Sequence, residues 1–253
     1  MKKFLMTIAA VIATASFTSC SNEMDMFDPI SSDKATIDLN ITNDNVMFTR
    51  AESNVSNTSS WYVKVGNNEQ IQVSALSSQK YAAGDYNITV SNYATEAAAI
   101  TANQAYYSGS VAKTLVKGSN SVTVACGQAK NCRVMADLAG LADFSAISEA
   151  KLTVSQSEAP NRVLSTESTT GYFYAGTGKT ISYALDYKYN GVAAKTLHGS
   201  IADPAAATEY QVIVVTNSNG TITLTVTYNT EFATVTAETI TIDAATGEKE
   251  KKN

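Results

Sequence analysis

From residue 35 onward, apolar and polar residues alternate with period two. In Ala35-Thr36-Ile37-Asp38-Leu39-Asn40-Ile41 every apolar side chain falls on one face, the signature of a half-buried strand. The same alternation predicts strands over 61–65, 70–76, 85–91, 110–116 and 120–126. It resumes over 131–137, 150–156, 171–175, 180–189, 193–199, 209–216, 221–228 and 233–242. Turn residues separate these runs: Gly66-Asn67-Asn68, Gly84-Asp85 and Gly118-Ser119-Asn120 supply the left-handed positions and side-chain caps that tight connections need. Only 95–105, with Glu96 followed by three alanines, reads as helix. Two strand starts match, Asp85-Tyr86-Asn87-Ile88 and Glu209-Tyr210-Gln211-Val212, as related halves would. The expected fold is all-β. Its length and strand spacing suit two tandem β-sandwiches over 34–127 and 128–245, with a joint near 127–130 and a charged tail over 246–253.

Before the first strand the pattern is different. Lys2 and Lys3 precede an apolar run, Phe4 to Ala15, that matches a signal-peptide core and is shorter than the roughly 20 residues of a membrane-spanning helix. Residues 1–19 are therefore expected to be a signal peptide. It closes on Phe17-Thr18-Ser19-Cys20, which resembles a bacterial lipobox with Phe in place of Leu. Cys20 would become the mature N-terminus, its thiol carrying a diacylglycerol and its amine a further acyl chain such as palmitate. Two or more chains anchor a protein stably where one binds only marginally. Residues 20–33 would be a lipidated flexible tether with a span of roughly 20 Å. Its acidic start, Ser21-Asn22-Glu23-Met24-Asp25, resembles the export signal of Bacteroidetes surface lipoproteins. The expected location is the outer membrane, lipid-anchored and exposed at the cell surface.

Losing residues 1–19 removes two lysines and no acid, so the formal charge moves from −5 to −7. That balance disfavours nucleic acid as a partner. The single histidine, His198, leaves little for histidine-based catalysis, and the carboxylates do not form a calcium loop. Gly176-Thr177-Gly178-Lys179-Thr180 lacks the spacing of a phosphate loop and reads as a hairpin turn. The reading is of a protein that is not an enzyme and needs no metal or cofactor.

Three aromatic groups offer a ligand surface. Trp61-Tyr62, Tyr106-Tyr107 and Tyr172-Phe173-Tyr174 each direct neighbouring rings to opposite faces of an extended segment. One ring of each group can therefore lie outside and stack on a sugar, with Trp61, Tyr107, Tyr172 and Tyr174 as the candidates.

Ala82-Ala83-Gly84-Asp85-Tyr86-Asn87-Ile88-Thr89-Val90, Ala105-Tyr106-Tyr107-Ser108-Gly109 and Ser121-Val122-Thr123-Val124-Ala125-Cys126 together resemble a Bacteroidetes family of surface lipoproteins with transthyretin-like sandwich domains. That family is grouped with the fimbrillin-like pilus subunits and cell-adhesion proteins. The resemblance implies an anchored two-sandwich protein of adhesion, of a fimbria-like assembly, or of surface binding. Its partners would be other fimbrial subunits, or host or glycan surface ligands. The alternative is a carbohydrate-binding lipoprotein of a glycan-uptake system. Type V pilins are similar in a further respect, an arginine-directed cleavage after an N-terminal strand. Here Val46-Met47-Phe48-Thr49-Arg50-Ala51 ends a candidate strand at an arginine and is followed by a polar stretch, Glu52 to Ser60, so Arg50 and Ala51 mark a candidate processing site. Removing the preceding strand would leave an unpaired edge and an apolar slot for a neighbour's strand.

Cys126 and Cys132 share even parity with Val122, Val124 and Val134, which turns both inward if the chain extends without a bulge. They can form a disulfide, worth roughly 2 kcal/mol for so short a loop, or remain two buried thiols. A link that crosses between sandwiches would carry them apart, which tips the expectation toward thiols.

Overall fold

The computed structural model describes residues 34–42, 58–142, 145–165, 168–192, 194–217, 220–229 and 234–248. Of these, 57% lie in strands and 10% in helices, so the fold is all-β. Cys20, Arg50, Ala51, the signal peptide, the tether and the end of the tail lie outside the described residues.

The first half holds β1 (Ala35–Thr42), β2 (Tyr62–Val65), β3 (Ile71–Gln72), β4 (Gly84–Ser91), β5 (Ser108–Leu115) and β6 (Gly118–Ala125). Strands β3-β2-β4-β5 form one antiparallel sheet, and β1 pairs with β6 in parallel. The alternation that marks these strands on paper is the one that fills the space between the two sheets. Val63 and Val65, Ile88 and Val90, Val122 and Val124 all turn into one buried cluster with Trp61, Leu76 and Leu115. Residues 70–76 depart from expectation: only Ile71–Gln72 pair as a strand, and Val73–Ser78 coil into a 3-10 helix that buries Leu76.

The second half holds β7 (Cys132–Leu138), β8 (Ile147–Gln156), β9 (Arg162–Leu164), β10 (Thr170–Phe173), β11 (Thr180–Tyr189), β12 (Lys195–Ala202), β13 (Glu209–Thr216), β14 (Thr221–Asn229) and β15 (Thr234–Asp243). A five-stranded sheet, β10-β7-β13-β14-β15, faces a four-stranded one, β12-β11-β8-β9. Their inner faces enclose a second cluster built around Val134, Leu152, Val154, Phe173, Ile181, Tyr183, Leu185, Val212 and Leu224. At roughly 25 cal/mol per Å² of apolar surface removed from water, clusters of this size are the main stabilising term. Segment 174–179 is no hairpin turn, because β10 and β11 belong to different sheets and the segment crosses between them.

Among the described residues two short α-helices complete the fold, α1 (Glu96–Thr101) and α2 (Ala139–Ala142). The first is built from strong local signals. The Thr95 side chain caps its start by accepting from the Ala98 N–H at 3.1 Å. At the other end Asn103 adopts φ +57°, its N–H donating to Ile100 and that of Gln104 to Ala99, so the helix stops in a Schellman motif with asparagine at the left-handed position.

The two clusters do not divide cleanly at residue 127. Ala129, Tyr172 and Ala207 are buried in the first cluster although they lie beyond it in sequence.

Candidate functional site

The N-terminal strand is the element on which the sequence places its functional expectation. Strand β1 runs beside β6 in continuous parallel register, from Ala35 opposite Gly118 to Thr42 opposite Ala125. Its ends are tied by main-chain bonds: Gly118 N–H donates to Lys34 at 3.1 Å, and Cys126 N–H donates to Thr42 at 2.8 Å. On its other side β1 has one antiparallel bridge, Ala35 with Tyr81, at 2.8 and 2.9 Å. Ala35 and Ile37 are buried, and Leu39 and Ile41 pack more loosely against the same cluster. Asn120 reinforces the start of the pair. Its amide donates to the carbonyls of Val116, Gly118 and Thr36 and accepts from the Val116 N–H. The strand is thus one edge of a two-stranded sheet, inserted at its beginning and less deeply buried toward residue 42. The chain continues from there toward Arg50.

The aromatic candidates are distributed differently from the expectation. Trp61, Tyr107 and Tyr172 are 5%, 4% and 1% exposed and belong to the first cluster, so they cannot stack on an external sugar. The physical reason is parity: each group does split across the sheet, but the inner member is Trp61 in the first and Tyr107 in the second, leaving Tyr62 and Tyr106 half-buried outside. In the third group both Tyr172 and Phe173 are interior, one in each cluster. Tyr174 alone is partly accessible, and Lys179 Nζ already lies 5.3 Å from its ring centroid while pairing with Glu158 at 2.8 Å.

Cys126 and Cys132 are both free thiols and both buried. Their inward parity leads to different interiors. Cys126 Sγ lies in the first cluster, 3.9 Å from the Val90 carbonyl, and Cys132 Sγ in the second, 3.4 Å from that of Phe173. The two sulfurs form no disulfide, because residues 127–131 carry the chain from one core to the other. Burial pushes the Cys126 thiol up to about 11 and that of Cys132 up to about 12, with Lys130 opposing the first shift.

His198 sits exposed in the middle of β12, opposite Ala184, rather than at a strand end. Among the described residues no three His, Cys, Asp or Glu side chains gather to hold a metal. None of the described helices is long and apolar enough to cross a membrane.

One buried constellation escaped the sequence reading. Arg133, at the start of β7, pairs with Glu209 of β13 and bonds Tyr172. Burial alone would lower the Arg133 pKa, but these partners outweigh it and raise the value. The only local sign was a charge next to a strand of buried residues, which reads equally well as a solvated rim.

No protein-family model matches the chain, and no curated protein sequence matches it. The solved structures similar to it include these three. A fimbrial assembly protein from Parabacteroides distasonis shares 12% identity over 80% of this chain and 98% of that one, with a TM-score of 0.45. A candidate cell adhesion protein from Bacteroides ovatus shares 9% over 81% of this chain and 95% of its own, with a TM-score of 0.37. Another from Bacteroides fragilis shares 10% over 78% and 98%, with a TM-score of 0.36.

Proposed function

We propose that the chain is a lipid-anchored, non-catalytic protein of the bacterial surface that acts in adhesion or as a fimbria-like structural subunit, with β1 as a removable strand. The observation that carries this reading is the placement of β1. It is an edge strand, it fills part of the first core with Ala35 and Ile37, and in sequence it precedes Arg50. Cys20 and β1 lie on the same side of the Arg50-Ala51 bond. A cut there would therefore release the body from its lipid and take away the partner of β6 in one event. The exposed main-chain groups of β6, residues 118–125, and the space left by Ala35 and Ile37 would then accept a strand from another subunit. Uncut, the same chain stays on the outer membrane through Cys20.

The carbohydrate-binding alternative loses its support with the burial of Trp61, Tyr107 and Tyr172. The test is assembly in solution. The purified chain is treated with an arginine-specific protease and sized by chromatography under native conditions. Oligomers that appear after the Arg50 cut, and are missing from an Arg50→Ala control, support the reading. A cut protein that stays monomeric contradicts it.

A further inference from the structure

The segment that joins the two clusters has the chemistry of a clamp. Residues 104–107 run as an extended strap, and side-chain amides pair with its main chain on both sides. Asn92 accepts from Tyr107 N–H and donates to the Ala105 carbonyl, both at 2.8 Å. Asn131, fully buried in the link between the halves, accepts from Tyr106 N–H at 2.9 Å and donates to the Gln104 carbonyl at 3.0 Å. Each amide takes a carbonyl and the N–H two residues on, as one residue of a parallel neighbouring strand would. Asn103 then repeats the pattern across the joint. Its amide accepts from Tyr172 N–H and donates to the Thr170 carbonyl, both at 3.0 Å, and so covers the free edge of β10.

Other groups fasten the same joint. The guanidinium of Arg162 on β9 donates to the carbonyls of Ile100 and Thr101, the last two residues of α1. Gly171 is what leaves room for it, since a Cβ there would come within 3.1 Å of the Arg162 stem and 2.8 Å of the Phe173 ring. The linker is paired as well: Lys130 N–H donates to Tyr106 at 2.8 Å and Ala207 N–H donates to Asn131 at 3.0 Å. Rotation about residues 127–131 would break these bonds and expose Tyr172.

We infer that the joint is a rigid clamp and that the two halves form one cooperative unit in which residues 127–131 do not act as a hinge. Neither half is complete alone. The first core requires Tyr172 and Ala207 from the second half, and the edge of β10 requires Asn103 from the first. The half that carries the anchor therefore holds the other at a fixed angle.

The chain contains its own reporters. Trp61 is the only tryptophan and lies in the first cluster with Cys126, while Cys132 lies in the second. Urea unfolding of the full reduced chain is followed by Trp61 fluorescence and by mass-resolved alkylation of Cys126 and Cys132. All three probes are expected to share one midpoint. In the double variant Asn103→Gly, Arg162→Met, which keeps a left-handed helix stop and an apolar stem at position 162, all three should move together to lower urea. Distinct midpoints for Trp61 and Cys132 in the unmodified chain would overturn the inference. So would a double variant that shifts the probes of only one half, or of neither.

Discussion

Tyr172 and Phe173 are consecutive residues of β10, and each is buried in a different hydrophobic cluster. Because side chains alternate across a strand, Phe173 fills the second core while Tyr172 turns its ring into the first and its hydroxyl to Arg133. Tyr172→Ala should therefore destabilise the whole cooperative unit by about 3–5 kcal/mol, the usual cost of emptying a buried aromatic site. Tyr172→Phe keeps the ring and should cost only about 1–2 kcal/mol through the lost hydroxyl bond. Urea midpoints read from Trp61 fluorescence check both values.

The thiols make stability fall at alkaline pH. Buried Cys126 and Cys132 hold their protons up to about 11 and about 12, whereas in the unfolded chain they ionise near the ordinary 9.0. The folded state then binds more protons than the unfolded state above pH 9, so their contribution is complete below that value and is lost as pH rises toward the folded values. Urea midpoints measured from pH 8 to pH 10 should decline. The decline should be shallower in a Cys126→Val, Cys132→Val variant.

Gly109 marks a close crossing. A Cβ at this position would stand 2.0 Å from the Ala125 carbonyl oxygen and 3.0 Å from Cys126 Sγ, so β5 and β6 approach too tightly for any larger residue. Gly109→Ala should lower stability by about 1–3 kcal/mol, the cost of overpacking, and thermal unfolding of the two proteins measures it.

Much of this architecture is legible in the sequence because one physical rule generates it. Period-two alternation with glycine turns locates β1, β4, β11 and β13 within a residue of their observed bounds, since burying one face is what makes those segments strands. Short elements escape the rule: β9 is too brief to show a period, and the 3-10 helix at 73–78 follows an apolar alternation that geometry does not honour. Parity likewise shows that Cys126 and Cys132 point inward, yet it cannot say into which interior. The clamp residues carry no local mark of their role: Asn103 falls inside the segment that reads as helix, Asn131 at the start of one that reads as strand, and Arg162 in neither. Their partners lie up to 69 positions away, so no local pattern announces them.

The anchor has its own test. Cells grown with an alkyne-bearing palmitate analogue should incorporate label into the protein, and Cys20→Ala should abolish both the label and sedimentation with membranes. Label retained by Cys20→Ala would remove the lipid from the account.

The removable strand is tested most directly by the mass and N-terminal sequence of the protein recovered from the surface of intact cells. Two species are expected: a labelled form beginning at Cys20, and an unlabelled form beginning at Ala51 that disappears in Arg50→Ala. Recovery of the Cys20 form alone, with β1 retained in every molecule, would contradict the proposed function.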